Sequence, residues 1–399
     1  MADADPRLVG VRVRDFRSVH DLAFEPRPVT ALVGEARAGK SNVLAALRAL
    51  LDPTAPRLAP EDVAAGGDGV VRVEARLQGG SEVSFACRPP ELATVERSGG
   101  PGVVFLPSVL RGGPLTGRMD SPNEAAAHAL EAFSRALDRR PDGSDAASAL
   151  ALLGAIRDGI EEGLGGVLLL IEEPELYLRP QGQRYLYRLL RAFAEAGNQV
   201  VYSTHSPAFL NVGRLEELVL VHLTASGTSV TQPQPLPADE AFRVVSEFDA
   251  ERSELFLART AVLVEGRTEK LVLPFVFAAL GHDVDRLAIS IVECGGKSNI
   301  PVFARICRAC GVPCVAVHDR DAAAGEDPIP QEVQLNALVA ETVGPELTVE
   351  LAPDFEGIAG LRGHANKPER AWRHFSTPGV EVPEPLARVV GVAVRAARG

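Results

Sequence analysis

The chain has 399 residues, of which 46% are apolar and 24% are charged, and these are the proportions of a folded globular protein. At about 100 to 200 residues per domain, this length predicts two or three domains. The net charge of −12 argues against a protein that coats nucleic acid through its overall field. Apolar runs stay far below the roughly 18 residues of a membrane span, and the acidic N-terminus has no apolar signal core. We therefore expect a cytoplasmic protein with no membrane partner.

Lysine is rare in this chain. It occurs only at positions 40, 270, 297 and 367, against 37 arginines. A lysine that persists in such a composition is expected where a compact ammonium does what a planar guanidinium cannot. Residues 357–399 carry seven basic and three acidic side chains, so any contact with DNA is expected to be local.

Apolar strand-like runs, each followed by a helix-compatible segment, predict an α/β protein with parallel sheets. The runs are Val29 to Val33, Val167 to Ile171, Val200 to Tyr202, Ala261 to Val264, Ile289 to Val292 and Cys314 to Val317. We predict a first domain over residues 1–245, with a poorly patterned region at 52–142 that is interpreted as a short β insertion followed by loops. A second domain is predicted over 258–399, after an exposed edge or linker at 227–240 and a helix from 239 to 258.

The first motif follows the Val29 run. Residues 34–41, GEARAGKS, fit G-x-x-x-x-G-K-[ST] between a predicted strand and a predicted helix over 42–51. In a Walker A loop of this kind Gly34 and Gly39 let backbone amides cradle phosphates, Lys40 reaches the β and γ phosphates, and Ser41 holds Mg²⁺. The alternative is a chance glycine-rich turn.

Two later strand ends supply partners for this loop. Glu172 and Glu173 follow the Val167 run, where Glu172 is expected near the metal ion and Glu173 is expected to polarise the attacking water. His205 follows the third run, where it can sense a γ-phosphate, although a histidine in that position is more often structural.

Together these residues resemble the ATP-binding-cassette and SMC-like ATPases, as does the opening strand and turn from Val11 to Leu22. The resemblance implies that Glu173 is the catalytic glutamate, that His205 is the switch histidine and that two heads sandwich ATP. The Walker A interior lacks the usual Asn-Gly pair, and residues 142–145 are only a degenerate candidate for the signature segment. Binding of ATP is therefore a firmer expectation than fast hydrolysis.

Acidic residues end the strands of the second half. Glu265 and Glu269 follow the Ala261 run, and Asp319 and Asp321 follow the Cys314 run as D-x-D. An extended D-x-D places both aspartates on one side of the chain, so we expect the four carboxylates to converge. Their mutual repulsion calls for a divalent cation, and oxygen ligands favour Mg²⁺ or Mn²⁺. The alternative is that the acids are separate solvent-facing turns.

Two further segments of this half carry candidate residues. A GGK sequence ending at Lys297 follows the Ile289 run, and its ammonium can meet a phosphate. Cys307, Cys310 and Cys314 have a spacing that suggests a metal knuckle, but no second ligand pair accompanies them, so small core side chains are the favoured interpretation.

The order E-G-x-x-E, G-G-K, D-x-D resembles the Toprim domain, and the lead-in Ser253 to Ala258 resembles more narrowly the OLD (overcoming lysogenisation defect) family. That family joins an ATP-binding-cassette head to a Toprim nuclease in this order. The resemblance implies metal ligation by Glu265, Glu269, Asp319, Asp321 and Glu356, and it makes Lys367 the counterpart of the family's C-terminal lysine. Lys367 can also be a plain helix-start residue.

The leading hypothesis is an ATP-regulated, Mg²⁺-dependent DNA endonuclease or nickase in phage defence or DNA repair. Lys367 or Lys297 would neutralise developing charge, and Arg370, Trp372, Arg373 and His374 could follow a DNA backbone. A homodimer or higher homo-oligomer and a helicase or other defence partner are implied by the family. The alternative is an ATP-gated DNA-binding or assembly module with little or no nuclease activity of its own. Primase-like synthesis would need nucleotide-handling elements that the sequence does not contain.

Overall fold

A computed structural model describes residues 7–52, 55–90, 94–96, 102–106, 145–176, 178–210, 212–235, 237, 252–321, 328–361 and 366–398. The chain divides into two compact units, Met1–Pro235 and Leu236–Gly399. Within the described ranges, no helix combines the length and the apolar content that crossing a bilayer requires.

The first unit contains two sheets. A five-stranded antiparallel sheet has the order β2-β1-β4-β5-β6, and a six-stranded sheet has the order β11-β10-β3-β9-β8-β7. In the second sheet β10, β3, β9, β8 and β7 run parallel, and β11 is an antiparallel edge strand. The strands are β1 (Leu8–Phe16), β2 (Val19–Phe24), β3 (Val29–Val33), β4 (Val71–Leu77), β5 (Glu82–Cys87), β6 (Thr94–Glu96), β7 (Gly102–Leu106), β8 (Val167–Glu172), β9 (Gln199–Thr204), β10 (Leu218–Thr224) and β11 (Gly227–Thr231).

Three helices of this unit fall within the described ranges, namely α1 (Lys40–Leu51), α2 (Asp145–Glu161) and α3 (Pro180–Glu195). The central strands β3 and β9 are buried at every residue, as expected for strands covered on both faces of a parallel sheet. Helix α1 packs its buried residues, such as Leu44 and Leu47, into the same apolar cluster as the strands of both sheets. The P-loop helix is therefore fixed by the core of the unit.

The second unit is built on a four-stranded parallel sheet with the order β13-β12-β14-β15. Its strands are β12 (Thr260–Val264), β13 (Ile289–Glu293), β14 (Cys314–Asp319) and β15 (Thr348–Leu351). Its helices are α4 (Arg267–Ala279), α5 (Ile300–Ala309), α6 (Pro330–Val343), α7 (Phe355–Ile358), α8 (Lys367–Phe375) and α9 (Glu384–Arg398). Because the strands are parallel, their carboxyl ends share one edge, and ligands bind at that edge in open α/β sheets.

All six runs that the sequence predicts as strands are strands. The parallel α/β fold class is confirmed. The region predicted as a short β insertion contains the antiparallel strands β4, β5 and β6, and the predicted edge at residue 227 is the edge strand β11.

Parts of three other predictions lie outside the described residues. Of the helix predicted over 239–258, only residues 252–258 are described. Arg252–Leu257 forms a 3₁₀ turn rather than an α-helix. Of the degenerate signature segment, only Asp145 is described, as the first residue of α2. The loops predicted to end the β insertion fall largely in the undescribed stretch before α2.

The cysteines favour the core interpretation. Cys307 and Cys310 are fully buried, Cys314 is partly buried, and all three are free thiols. In the described part of the chain, no three His, Cys, Asp or Glu side chains already stand together in a metal-ligating arrangement. Zinc at this position therefore has no support from the geometry.

Candidate active sites

The Walker A segment forms a tight loop between β3 and α1. Lys40 is 5% exposed, and its ammonium donates to the carbonyl oxygens of Gly34 at 2.8 Å and Glu35 at 2.9 Å. Burial lowers the pKa of Lys40 to about 8, while Glu173 and Glu175 oppose that shift. Ser41 is exposed at the start of the helix. The lysine thus holds the loop closed through contacts that a phosphate can replace.

Both glycines of the motif are required because atoms of distant residues lie too close to leave room for a side chain. A β-carbon on Gly34 would lie 2.1 Å from the carbonyl oxygen of Val221, and one on Gly39 would lie 2.2 Å from Oγ1 of Thr228. Gly39 also has a φ of 108°, in the region that favours glycine. The loop is therefore packed against the strands β10 and β11, which follow it by almost two hundred residues.

A hydroxyl network from the edge strand β11 supports this loop. Oγ1 of Thr228 donates to the carbonyl oxygen of Ala38 at 2.9 Å and lies 2.7 Å from Oγ of Ser18. The Asn42 amide donates to the same Ser18 hydroxyl at 2.7 Å. Residues of β11, of the β1–β2 turn and of α1 thus fix the phosphate loop together. Thr228 belongs to no sequence motif, so its contact with the loop is visible only in the structure.

The ends of β8 and β9 face each other beside the P-loop. Glu173 adopts a φ of 46°, and its backbone amide donates to the carbonyl oxygen of Ser203 at 3.0 Å. Its carboxylate lies 3.1 Å from Nε2 of His205. Burial and the nearby Lys40 lower the pKa of His205. Glu172 is the last residue of β8 and is partly buried. The predicted nucleotide residues are thus brought to one rim.

Glu175 is a further acid of this rim that the sequence does not single out. It is 7% exposed, and its Oε1 accepts from the Thr204 hydroxyl at 2.7 Å and from the His205 amide at 2.8 Å. Its Oε2 is buried without a hydrogen-bond partner. Burial raises the pKa of Glu175. It holds the backbone of His205 in place, and the only sequence signal is its position after Pro174 beyond the glutamate pair.

Acidic residues gather at the carboxyl edge of the second unit's sheet. Glu265 follows β12, and its Oε2 accepts the Asp319 amide at 3.3 Å across to β14. Glu269 is buried in the first turn of α4, where its Oε2 accepts the Gly266 amide at 3.2 Å. Asp319 Oδ1 accepts the Phe355 amide at 2.8 Å, and Glu356 is the next residue. The ends of β12 and β14 and the start of the short helix α7 therefore converge at this edge.

Three of these carboxylates make the centre of the cluster. Burial raises the pKa of Asp319 to about 8, and Glu269 and Glu265 add to the rise. Burial also raises the pKa of Glu265 and of Glu269. Glu265, Glu269 and Asp319 are called the central acids. Among the described residues, no lysine or arginine forms an ion pair with any of them. Two lysines act on them from a longer range, since Lys297 lowers the pKa of Glu265 and Asp319 raises the pKa of Lys367.

Two lysines flank the central acids. The Lys297 ammonium lies 2.5 Å from Asp321 and 2.8 Å from Glu332. The Lys367 ammonium lies 3.0 Å from Glu356. Burial opposes the charge of Lys297, but the hydrogen bonds to Asp321 and Glu332 raise its pKa overall, and the bond to Glu356 raises the pKa of Lys367. Three of the four lysines therefore lie at the two rims.

The geometric premise for the D-x-D pair is wrong. Strand β14 ends at Asp319, and Asp321 has a φ of 56°, so the chain does not continue as an extended strand between the two aspartates. Asp319 turns to the backbone of α7, whereas Asp321 turns to Lys297. The carboxylates still influence each other, because Asp321 contributes to the raised pKa of Asp319.

The chemistry of the central acids fits a hard divalent cation. They are oxygen ligands, they are buried or partly buried, and their mutual repulsion disfavours the ionised forms that such a cation stabilises. A cation among the central acids would add the direct charge compensation that no described lysine or arginine supplies through an ion pair. The side chains as they stand are held by hydrogen bonds to the backbone rather than being turned to a common point.

The basic C-terminal segment presents a mixed surface. Trp372 is 42% exposed, and Arg373 is exposed and pairs with Glu369 at 2.7 Å. The His374 ring packs edge-on against the buried Phe375. Of the residues predicted to follow DNA, Trp372, Arg373 and His374 are exposed, and Arg370 is partly buried.

Two family models match the chain. The one described as "Overcoming lysogenization defect protein-like, TOPRIM domain" matches residues 256–321. The one described as "AAA domain, putative AbiEii toxin, Type IV TA system" matches residues 139–211. The two matches fall in different units.

Two curated proteins are similar over larger stretches. The OLD nuclease of Thermus scotoductus is 32% identical over 255 residues, which cover 59% of this chain and 48% of that protein. The Old nuclease of Escherichia phage P2 is 28% identical over 172 residues, which cover 41% of this chain and 29% of that protein. The chain thus spans less than half the length of either relative. Among solved structures, the SMC head domain from Thermotoga maritima is 16% identical, with a TM-score of 0.36. The match covers 58% of this chain and 100% of that chain.

The parallel sheets and the two matches define a protein with an AAA-type domain match in its first unit and a Toprim domain match in its second. Within that class, the resemblance to the OLD family that the motifs predict is confirmed by the Toprim match and by the two named relatives.

Proposed function

We propose that this chain is an ATP-regulated, divalent-metal-dependent DNA endonuclease or nickase that acts in the cytoplasm in phage defence or DNA repair. The observation that carries the proposal is the group of central acids, which lies between two lysines at the carboxyl edge of a Toprim sheet. Two relatives bear the name nuclease, which supports the same activity for this shorter chain.

The central acids Glu265, Glu269 and Asp319 would hold Mg²⁺ or Mn²⁺, with Asp321 and Glu356 on either side. A bound ion would supply an activated water and charge stabilisation for in-line attack on a phosphodiester. The protein's own part is to orient the carboxylates and to oppose, in part, the burial that disfavours their ionised forms. It does so through amide donors of three elements: Gly266 before α4, Asp319 in β14 and Phe355 in α7.

Lys367 is suited to meet the substrate phosphate. Its side chain is 43% exposed and has one ionic partner, Glu356, so it can turn from that carboxylate to a non-bridging oxygen. Trp372 and Arg373 lie on the same helix, α8, and are exposed, which suits stacking on a base and contact with a phosphate. This assignment makes α8 the DNA-facing helix of the unit.

The first unit would bind ATP and control cutting. The backbone between Gly34 and Gly39 would cradle the phosphates, and Lys40 would exchange its carbonyl contacts for the β and γ phosphates. Ser41 and Glu172 would hold the nucleotide's Mg²⁺. Glu173 would orient water, and His205, which lies beside its carboxylate, would report on the γ-phosphate. A homodimer or higher homo-oligomer, with a helicase or other defence protein as a possible further partner, belongs to this proposal.

Nicking of supercoiled plasmid by the purified chain, with Mg²⁺ or Mn²⁺ and with or without ATP, tests the proposal. Asp319→Ala combined with Asp321→Ala should abolish nicking and leave ATP binding intact. The matched control, Asp285→Ala combined with Glu341→Ala, removes two exposed acids of the same unit and should keep wild-type nicking. Full nicking by the first double variant would refute the assignment.

A second candidate is an ATP-gated DNA-binding or assembly module with little or no intrinsic cleavage. It is favoured by the side-chain arrangement, since no three acids, histidines or cysteines of the described residues already surround a common point. This candidate predicts ATP-dependent DNA binding with no cleavage under any divalent metal, so the same plasmid assay separates the two.

A further inference from the structure

Helix α3 of the first unit is apolar on one side and cationic on the other. Its buried side chains include Leu186, Leu190 and Phe193. On the opposite side the exposed side chains recur at helical spacing, at Gln181, Arg184, Tyr185 and Arg188. No Asp or Glu occurs in residues 176–194, and the exposed Arg179 stands just before the helix. The name arginine face is used below for Arg179, Arg184, Tyr185 and Arg188.

The spacing of these arginines differs from that of other arginines in the helices. Arg184 and Arg188 stand four residues apart, where like charges destabilise a helix. Other arginines have an acid at this spacing as an ion-pair partner, in Arg48–Asp52, Arg157–Glu161, Arg191–Glu195 and Arg373–Glu369. Within the described ranges, no acid forms an ion pair with Arg179, Arg184 or Arg188. The stability of the helix therefore does not account for the two arginines.

Two acids of the neighbouring helix α2 are already paired. Arg157 of that helix interacts electrostatically with Tyr185, so this end of α2 lies near the arginine face. The Arg157 guanidinium is 3.0 Å from Asp158 and 3.8 Å from Glu161. These acids are thus engaged by a cation of their own helix.

Tyr185 gives the face an aromatic surface. Its side chain is 41% exposed, and the guanidinium of Arg188 lies over its ring, 5.8 Å from the ring centroid. A cation in that position is attracted by the ring. Arg188 therefore has fewer positions open to it and loses less freedom when it contacts a ligand.

The arginine face is complementary to the phosphate backbone of DNA. Guanidinium groups present planar sets of donors that match phosphate oxygens. The net charge of −12 makes the chain as a whole repel a polyanion, so DNA can be held only where cations are locally in excess. Surfaces that follow a nucleic-acid strand also combine cations with an exposed aromatic ring.

We propose that the arginine face of α3 binds the phosphate backbone of DNA, as a contact surface of the first unit in addition to α8 of the second. Tyr185 is a positioning residue that acts through Arg188. Contacts to phosphates carry no sequence information, so the face would hold DNA of any sequence. This inference rests on the proposed function, because it takes DNA as the polyanion that the chain meets.

Fluorescence anisotropy of a labelled DNA duplex with the full chain tests the inference, over a salt series without divalent metal so that no cleavage occurs. Arg184→Gln combined with Arg188→Gln should weaken binding and lower the slope of log affinity against log salt by about 1.8, for two contacts at about 0.9 each. The matched control, Arg57→Gln combined with Arg88→Gln, removes two exposed arginines of the same unit and should keep the wild-type slope.

Two further measurements separate contact from folding. Removal of two like charges at this spacing should leave the melting temperature of the double variant no lower than that of the wild type. Arg184→Lys combined with Arg188→Lys keeps both charges and should keep the slope, which decides the question even if the glutamine variant melts lower.

The role of Tyr185 has its own signature. Tyr185→Ala should weaken DNA binding by roughly two- to fivefold without changing the slope, because the charges remain while the support of Arg188 is lost. Tyr185→Phe keeps the ring and should bind as the wild type does. Equal losses in both variants would contradict the positioning role.

The outcomes separate the inference from the proposed function. Wild-type affinity and slope in the glutamine double variant overturn the inference and leave the nuclease proposal standing. A chain that binds DNA through this face but never nicks it keeps the inference and removes the nuclease proposal, and a chain that binds no DNA removes both. Two results assign the face to a protein surface and overturn the inference: loss of a wild-type oligomer in the double variant with an unchanged slope, or competition by polyglutamate as strong as that by DNA at equal charge.

Discussion

At the scale of single residues, Asp319 ionises far from the ordinary pH range of an aspartate. Burial and two neighbouring glutamates raise its pKa from 3.8 to about 8. The folded state therefore favours the protonated form, and the stability that this form contributes is present below pH 4 and is lost as pH rises through about 8. Repulsion among the central acids makes the metal-free protein less stable at the upper end of that window.

We expect Asp319→Asn to flatten this pH dependence. Without Mg²⁺ or Mn²⁺, the variant should melt higher than the wild type at pH 8, by roughly several degrees, and the difference should shrink toward pH 5. Thermal melting across that range measures the effect. Asp285→Asn, in an exposed position of the same unit, serves as the control. A melting difference that is the same at pH 5 and pH 8 would contradict the assignment.

Metal addition gives the complementary result. Mn²⁺ at pH 8 should raise the melting temperature of the wild type and leave that of Asp319→Asn nearly unchanged, because binding to the folded state alone stabilises it.

Glu173 is the residue whose role in the first unit is most readily separated from folding. Its carboxylate lies 3.1 Å from Nε2 of His205. Its backbone amide donates to the carbonyl oxygen of Ser203, and Glu173→Gln retains that bond. We expect this variant to bind ATP with wild-type affinity and to hydrolyse it at least tenfold more slowly. Nucleotide binding and phosphate release measure the two properties. Parallel losses of binding and hydrolysis would show instead that Glu173 supports the fold of the loop.

At the scale of elements, the P-loop depends on strands that lie far from it in sequence. Gly39→Ala would place a methyl group 2.2 Å from the Thr228 hydroxyl and strain a φ of 108°. We expect loss of ATP binding with little change in Mn²⁺ binding by the other unit. Gly154→Ala, in the middle of α2, meets no atom within 4 Å and should stabilise the protein by up to about 1 kcal/mol. Dye-labelled nucleotide binding and thermal melting distinguish the two variants.

The elements themselves were predictable from sequence to a large extent. Buried parallel strands are uninterrupted apolar runs, so β3, β8 and β12 were evident before the structure, and the residues after them marked the rims. Side chains that depend on packing between distant elements were not predictable. Glu332 meets Lys297 across 35 residues, and Thr228 meets Ser18 across 210, with no motif around either.

Asp321 illustrates why a local pattern can mislead. The prediction for D-x-D assumed an extended backbone, but β14 ends at Asp319 and Asp321 adopts a φ of 56°. Its direction is set by the buried ammonium of Lys297, which comes from a different strand end. The roles assigned to the site residues remain predictions for the experiments above.

At the scale of the whole molecule, charge decides how the chain can meet DNA. The net charge is −12, while residues 357–399 carry an excess of basic side chains. We expect a salt dependence that corresponds to only a few phosphate contacts. Arg373→Ala should lower the slope of log affinity against log salt by about 0.9, and Arg286→Ala, elsewhere on the same unit, should not change it. Fluorescence anisotropy over a salt series measures both slopes.

An unchanged slope for Arg373→Ala would place the DNA contact on another surface. Trp372→Ala separates stacking from charge, because loss of a base stack weakens binding by about 1 to 3 kcal/mol with no change in the slope.

The bond from the Gly296 amide to the Glu265 carbonyl ties the loop that carries Lys297 to the first acidic strand end. Together with the Cys294 amide on Val264, it prolongs the pairing of β12 and β13 beyond their last residues. Deuterium should therefore enter these two amides only when the sheet itself opens, as slowly as it enters the middle of the strands. A rim with such protection is preformed, and its readiness for an ion would not await any rearrangement of the backbone.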